Sequence, residues 1–382
     1  MKKLRILLTN MHRGGWGGQP NLILTTAYKL TERGHFIMIA APQNSTLVNR
    51  AKARNIPTFD SLQFPRGIHL SILGEIRKIK NVLGKNEIDI IHTNGSQDTW
   101  TGAIAAKTLI KSVIVVRTRH NTFPIKDHFL NRYLYKSLID KVTVLSAGTI
   151  DRFRDFTGSG ILKKEDISVI HACVDIEKFN LSISGEKIRK ELNLSEKQPL
   201  VGIVGRLAQE KGHKFLFEAA NEIIKEFPDC RFLVVGTGPL RKELEQMCVN
   251  LGIKDKVLFL GLRTDIPEIT AAFKVAVVAA VDCESSSITM KEAMALQKPV
   301  VSTSFPGAYE IVEDGRNGIV VPIGDSKKMS EAIISILKDP DKAHRMGLRG
   351  REIVEEKFTE KIWADKMEEV YYEVMERAGR LK

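Results

Sequence analysis

The sequence predicts an α/β protein built from two Rossmann-like domains that face each other across a cleft. Three observations predict it. Near-continuous Val/Ile/Leu runs alternate with amphipathic stretches along all 382 residues, the pattern of parallel strands covered on both faces by helices. The alternation pauses in a polar stretch, LSISGEKIRKELNLSEKQ (181–198), and then restarts. The length suits two domains of ordinary size, so the expected division is 1–180 and 181–360.

The elements follow in order. LRILLTN (4–10) reads as a first strand, followed by a glycine-rich loop and a helix through about Arg33. HFIMIAAP (35–42) is the second strand, and a basic helix covers about 70–85. DIIHTNG (89–95) and VIVVRTRH (113–120) are buried strands that end in polar residues. KVTVLSA (141–147) and ISVIHACVD (167–175) continue the series. The second series is PLVGIVGRL (199–207), RFLVVGTGP (231–239), KVLFLG (256–261), VAVVAA (275–280) and PVVST (299–303). In open sheets of this kind ligands bind beyond the carboxyl ends of the strands. The residues just after the strands are therefore the informative ones, and here they are polar.

Composition removes several classes. No apolar run approaches the ~18 residues that span a bilayer, and the run Ile6–Leu8 is too short for a signal peptide. Four cysteines (Cys173, Cys230, Cys248, Cys283) stand far apart with no CxxC spacing. That argues against a disulfide framework or structural zinc and fits a reducing cytoplasm. The net charge is +12, and residues 1–180 hold 27 Lys+Arg against 14 Asp+Glu, so the excess belongs to the first half. Such asymmetry suits an anionic partner, or solubility alone. No helix-turn-helix, RNP or zinc-finger pattern points to nucleic acid.

Four segments carry chemistry. HRGGWGGQP (12–20) follows the first strand, and its glycines allow close backbone approach at a helix start that favours an anion. It is neither GxGxxG nor a P-loop, and a plain tight turn is the competing reading. GRLAQEKG (205–212) places Arg206 and Lys211 in a loop opening a helix, where two cations could clamp a diphosphate or simply be solvated. In ESSSITMKEAMALQKPVVST (284–303), Glu284 follows a buried strand and Glu292 lies on the next helix. The amides of Ser285 to Ile288 sit between them at a helix start, suited to phosphate. A Glu in that place is otherwise a capping residue. His120 ends the strand VIVVRTRH, as a packing residue or a functional one. DPD (339–341) reads as a turn with helix capping rather than a magnesium motif.

Taken in order, these segments resemble the family 4 glycosyltransferases, retaining and nucleotide-sugar-dependent enzymes of the GT-B fold, and among them the lipopolysaccharide and cell-envelope type. GGQPNLILTTAYKLTERGH (17–35) resembles the family's GGxE segment, and VIHACVDIEKF (169–179) its IPNGVDxxxF segment. VGRLAQEKG matches GRLxxxKG, VVGTGP matches VGxGP, and LGLRTDIPE (260–268) resembles LGxxxDVPE. The E-x7-E stretch and EIVEDGRNGIVVPIGD (310–325) complete the series, so the resemblance covers essentially the whole chain.

The resemblance implies roles for matching residues. Gly17 and Gly18 would lie near the donor diphosphate, and Arg206 and Lys211 would bind it and stabilise it as it leaves. Arg263 and the backbone at Ile266 would border the nucleotide base. Glu292 would hold the ribose hydroxyls. Glu284 would hold the transferred sugar, with the amides of Ser286, Ser287 and Ile288 contacting sugar and phosphate. His120 would sit near the reacting sugar. No cofactor or metal is implied, since fixed cations and helix-start amides stabilise the leaving group. There are departures. Ser285 and Ser286 replace Gly-Phe, Pro20 stands at the GGxE glutamate, Ala172-Cys173 replace Asn-Gly, and Asn94 replaces the second His of HxH.

The implied activity is transfer of a hexose-type sugar, on family frequency from a UDP-sugar, to a lipopolysaccharide-core, lipid-linked or other cell-envelope glycan. A GDP-mannose-dependent mannosyltransferase and a GT-B epimerase are the alternatives. The implied place is cytoplasmic, peripheral on the inner face of the membrane. The basic half would meet anionic lipid, and the last helix (361–382) would return to it. GIHLSILGEIRKIKNVLGK (67–85) and FPIKDHFLNRYLYK (123–136) are the candidate contact segments, unless their apolar faces are core.

Overall fold

The computed structural model describes residues 2–14, 17–65, 71–281 and 284–381. Gly15 and Trp16 of the glycine-rich loop, residues 67–70 of the first basic segment, and Cys283 lie outside the described residues. The chain divides into two compact units, Met1–His171 with Glu360–Lys382, and Ala172–Thr359.

The first unit holds the strands β1 (Arg5–Thr9), β2 (Phe36–Pro42), β3 (Thr58–Leu62), β4 (Ile90–Thr93), β5 (Ile114–Arg119), β6 (Lys141–Val144) and β7 (Ile167–Val169). They lie in the order β3-β2-β1-β4-β5-β6-β7, and every pairing is parallel. Central strands are buried on both faces: Ile6, Leu7, Ile90, Ile91, Val115 and Val116 have no exposed surface. That is why they read as continuous apolar runs.

The second unit repeats the plan with β8 (Leu200–Val204), β9 (Arg231–Val235), β10 (Val257–Gly261), β11 (Val275–Val278), β12 (Val300–Thr303) and β13 (Gly318–Val321). Their order is β10-β9-β8-β11-β12-β13, again wholly parallel. The order reverses between β1 and β4 in one sheet and between β8 and β11 in the other. Such reversals open the crevice in which doubly wound sheets bind ligands.

Two strands were not marked by apolar runs, and both lie at sheet edges. β3 carries Asp60 and Ser61 and is mostly half-exposed. β13 is four residues long and begins with glycine. Edge strands need cover on fewer sides, so their sequences lose the signal.

The boundary also differs from position 180. Val174 and Phe179 pack in the second unit's core with Ile188, Leu200 and Phe273. The Val174 amide donates to the Phe358 carbonyl at 2.9 Å, and Val174 bridges Thr359 in parallel. The segment entering the second unit is thus tied to the one leaving it.

The helix Glu360–Arg377 belongs to the first unit. Trp363, Met367, Tyr371 and Met375 recur every four residues and are all buried, forming one apolar stripe. Trp363 Nε1 donates to Thr26 Oγ1 at 2.9 Å. Arg33 donates to Glu368 at 2.7 Å and to Asp365 at 2.6 Å. DPD behaves as a cap: Asp339 accepts from the Lys342 amide at 2.8 Å, opening the helix Pro340–Lys357.

Candidate functional site

In the second unit the candidate residues converge where the strand order reverses. β8 ends at Val204, and Arg206 follows, exposed, its guanidinium with no ion-pair or hydrogen-bond partner among the described residues. The turn Gln209–Lys211 leads through Gly212 into the helix His213–Glu226. Gly212 has φ +64°, and a Cβ there would lie 1.9 Å from the Ala279 carbonyl oxygen. Gly236 has φ +134°, and a Cβ would lie 2.0 Å from the Gly205 carbonyl oxygen. These two close approaches explain the glycines of GRLAQEKG and VVGTGP. They let the turns after β8 and β9, and the chain after β11, crowd together beneath Arg206 and Lys211.

Glu284 lies beyond β11, the strand beside β8. Its Oε2 accepts from the Lys211 ammonium. Glu284 is mostly buried while Lys211 keeps a third of its side chain exposed, so the pair opens to solvent from the lysine side. Ser285, Ser286 and Ser287 follow, all buried. Ser287 caps the helix Ile288–Ala295, accepting from the Met290 amide at 3.4 Å. The Ser286 hydroxyl faces inward, accepting from the Ala172 amide at 3.3 Å and from Lys291 at 2.5 Å. What this segment can offer a ligand is therefore its backbone amides and Glu284, rather than serine hydroxyls.

Glu292, on the same helix, has no hydrogen-bond or ion-pair partner among the described residues. Desolvation pushes its carboxyl up to about 7, against a lesser opposing pull from Lys178. A desolvated carboxylate without partners is costly unless a ligand supplies donors. Arg263 differs from Arg206. It donates to Glu191 at 2.5 and 2.8 Å and to Asp265 at 2.8 and 2.6 Å. Those hydrogen bonds raise its pKa further above an already high value and occupy its guanidinium. Ile266 begins the helix Ile266–Ala271, with Pro267 in the first turn.

The first unit gathers polar groups at its own reversal, between β1 and β4. Asn94 Nδ2 donates to the Thr9 carbonyl at 3.0 Å, and the Asn94 amide donates to Asp98 Oδ2 at 3.0 Å. Thr9 Oγ1 also donates to Asp98 Oδ2, at 2.6 Å. His120 Nε2 lies 2.8 Å from Asn94 Oδ1. Since the Asn94 amide nitrogen is already a donor elsewhere, Oδ1 must accept, and Nε2 carries the proton. Burial chiefly, then His92 and His12, lowers the His120 pKa to about 3, so the ring is neutral near pH 7. Gln19 Nε2 donates to Asn10 Oδ1 at 3.2 Å and to the Asn94 carbonyl at 3.1 Å. Gly17 and Gly18 are exposed at the start of the helix Gly18–Glu32, which has no side-chain cap.

The sequence reading missed three groups. Asp98 is one; its place four residues past Asn94, beyond β4, was the available signal. His92 bridges the Tyr371 hydroxyl at 2.5 Å and Thr118 Oγ1 at 2.6 Å, which no local pattern announces. Lys291 reads as a helix-surface lysine but has no exposed surface. Its signal was its place among Ile288, Met290, Ala293 and Met294.

Known proteins give the arrangement its setting. The model of "Glycosyltransferase Family 4" matches residues 16–178, and that of "Glycosyl transferases group 1" matches 184–353. The N-acetyl-alpha-D-glucosaminyl L-malate synthase of Bacillus anthracis is 27% identical over 304 residues, 78% of each chain. A GDP-mannose-dependent monoacylated alpha-(1-6)-phosphatidylinositol monomannoside mannosyltransferase of Corynebacterium glutamicum is 24% identical, over 81% of this chain and 83% of its own. The Anabaena protein HepE, solved in complex with UDP, superposes with a TM-score of 0.83 at 23% identity, covering 97% of this chain and 100% of its own. Two family models tiling nearly the whole chain, over two parallel Rossmann-like sheets, lead to one conclusion: the chain belongs to the family 4 glycosyltransferases and has the GT-B type of fold.

Proposed function

We propose that this glycosyltransferase moves a hexose-type sugar, with retention, from a UDP-sugar to a lipid-linked, lipopolysaccharide-core or related cell-envelope acceptor, without a metal. The observation that carries the donor half is the meeting of Lys211, Arg206 and Glu284 at the β8/β11 reversal, beside the capped start of Ile288–Ala295. An unpaired guanidinium, an ammonium and helix-start amides suit a diphosphate. The UDP complex of HepE supports a uridine nucleotide.

In the reaction the anomeric carbon–oxygen bond to the diphosphate breaks. Positive charge builds on the sugar and negative charge on the leaving oxygen. Arg206 and Lys211 stabilise the second without reorganising at the moment of reaction. Glu284 holds sugar hydroxyls and Glu292 the ribose hydroxyls, whose O–H groups satisfy its partnerless carboxylate. The acceptor hydroxyl attacks from the face the diphosphate leaves, and its proton passes to the leaving phosphate oxygen. The neutral His120, fixed by Asn94, serves as a hydrogen-bonding group toward substrate in the first unit.

The acceptor half rests on the first unit's surface. In the segment 123–136, Leu134 and Tyr135 are core, but Phe123, Phe129 and Tyr133 are 52%, 76% and 55% exposed among Lys126, Arg132 and Lys136. Leu73, on the basic helix Ser71–Lys85, is 67% exposed. Exposed aromatics among cations suit a peripheral contact with anionic lipid. Among the described residues no helix is long and apolar enough to cross a membrane. The Corynebacterium relative, named for a phosphatidylinositol acceptor, supports a lipid-linked substrate; the same name favours GDP-mannose as a second reading of the donor.

The test pairs donor turnover with flotation. Slow hydrolysis of a UDP-sugar that persists in EDTA, releasing the sugar initially in the donor's anomeric form by proton NMR, supports the donor half. Preference for GDP-mannose would select the second reading, and inversion would refute retention. Salt-sensitive binding to anionic vesicles supports the acceptor half, and its absence refutes it.

A further inference from the structure

A lysine with no exposed surface demands a reason. Removing an ammonium from water costs several kcal/mol unless partners replace the solvent. Lys291 lies on the first turn of Ile288–Ala295, immediately before Glu292. Its Nζ donates to Ser286 Oγ at 2.5 Å and stands 4.6 Å from the centroid of the Phe358 ring. The same Ser286 oxygen accepts from the Ala172 amide. One ammonium therefore fastens the 284–288 segment to the chain entering the second unit, while lying over a residue of the chain leaving it.

Glu284, Glu310 and Cys173 are near enough to favour the Lys291 charge, and desolvation, the larger effect, lowers its pKa to about 7. A cation so placed adds positive potential behind the amides that the proposed donor site offers to phosphate. Low dielectric screening makes that potential stronger than a surface lysine's.

We propose that Lys291 is a positioning residue of the donor site, holding Ser286 and its neighbouring amides in place and lending a buried positive charge to the binding of the donor diphosphate. This rests on the donor reading above. Lys291 touches no reacting atom; it acts through the Ser286 segment.

The experiment measures UDP and GDP affinity by calorimetry, from about pH 6 to about pH 9, for the full chain and for Lys291→Met and Lys291→Gln. Methionine keeps the shape and removes both charge and hydrogen bond. Glutamine keeps a donor for Ser286 and removes only the charge, and it carries the readout if the methionine variant does not fold. Replacing a buried charge by an apolar side chain is often neutral or stabilising, so the melting temperature is expected to hold. Nucleoside diphosphate affinity is expected to fall about tenfold in both variants near pH 6.5.

The sign of the pH effect separates this role from packing. Lys291 is charged below about 7, so its contribution to anion binding is full at lower pH and fades as pH rises. Cys173, Glu284 with its partner Lys211, Glu310 and the neighbouring Glu292 also face this region. Their effects persist in the variants, so the difference between wild type and variant isolates Lys291. That difference should be about tenfold near pH 6.5 and shrink toward pH 9. Affinity within twofold of wild type in either folded variant, with an unchanged pH profile, would overturn the proposal. Wild-type chain that binds neither nucleotide would overturn the donor reading itself, and Lys291's role with it.

Discussion

The Lys211 ammonium is hydrogen-bonded to the Glu284 carboxylate across the pair of strands where the second sheet reverses its order. The cation proposed for the diphosphate is thus held by the carboxylate proposed for the sugar. Neutralising that carboxylate removes a competitor for the ammonium. Glu284→Gln is expected to bind free nucleoside diphosphate about threefold more tightly while turning over about 100-fold more slowly. Calorimetry and initial rates on one preparation check both signs. A parallel loss of affinity and rate would mean that Glu284 does not compete for Lys211.

Glu292 sets function against stability. Its pKa of about 7 in the fold lies above the ordinary 4.5. Between those values the unfolded chain releases a proton that the folded chain keeps, so stability falls as pH rises through that window and the cost is full above about 7. Glu292→Gln removes the cost. It is expected to melt a few degrees higher than wild type near pH 8 and equally near pH 4.5, with donor KM raised about tenfold. Thermal melts at the two pH values, together with donor kinetics, check it.

The first unit should respond to acid in the other direction. Burial holds His92 neutral, with a pKa of about 3 against an ordinary 6.5, and His120 likewise. Below about pH 6.5 the unfolded chain takes up protons that the folded chain refuses until about 3. This stability is full above about 6.5 and lost as pH falls toward 3. His92→Gln disturbs the bonds to Tyr371 and Thr118 and is expected to melt about 5 °C lower near pH 7.5. Its further loss between about pH 7 and about pH 4.5 should be smaller than wild type's. Melting curves across that range decide it.

Gly212 is the backbone position on which the cation loop depends. Alanine there places a methyl group against the Ala279 carbonyl in a left-handed conformation. Gly212→Ala is expected to cost about 2 kcal/mol or more, read by urea unfolding. A variant as stable as wild type would show that the loop has room to shift.

The central strands and the order of motifs were legible because buried parallel strands and glycine-rich turns each leave local patterns. VGIVG and RFLVVG announce themselves as strand followed by turn, and Gly212 and Gly236 are explained by close approaches in that place. The edge strand Thr58–Leu62 was not legible, because half-exposed residues need no apolar run. Arg206 was read as a diphosphate clamp and Arg263 as a border of the base; only the fold shows the Arg263 guanidinium locked to Glu191 and Asp265 and that of Arg206 without a partner among the described residues. Tyr371 and His92 lie 279 positions apart, so their bond is a product of topology that no window of sequence contains. Lys291 was missed because the helical pattern identifies a buried face only when that face is apolar.

The measurement that tests the account most directly compares wild type with Arg206→Ala and Lys211→Ala, using thermal stabilisation by UDP- and GDP-sugars and single-donor turnover, with and without EDTA. The account predicts selective stabilisation of wild type by one nucleotide sugar, unaffected by EDTA. It also predicts turnover lower by about 100-fold in each variant, with their unliganded melting temperatures within about 2 °C of wild type. Normal turnover in both variants would contradict the diphosphate clamp at the β8/β11 reversal.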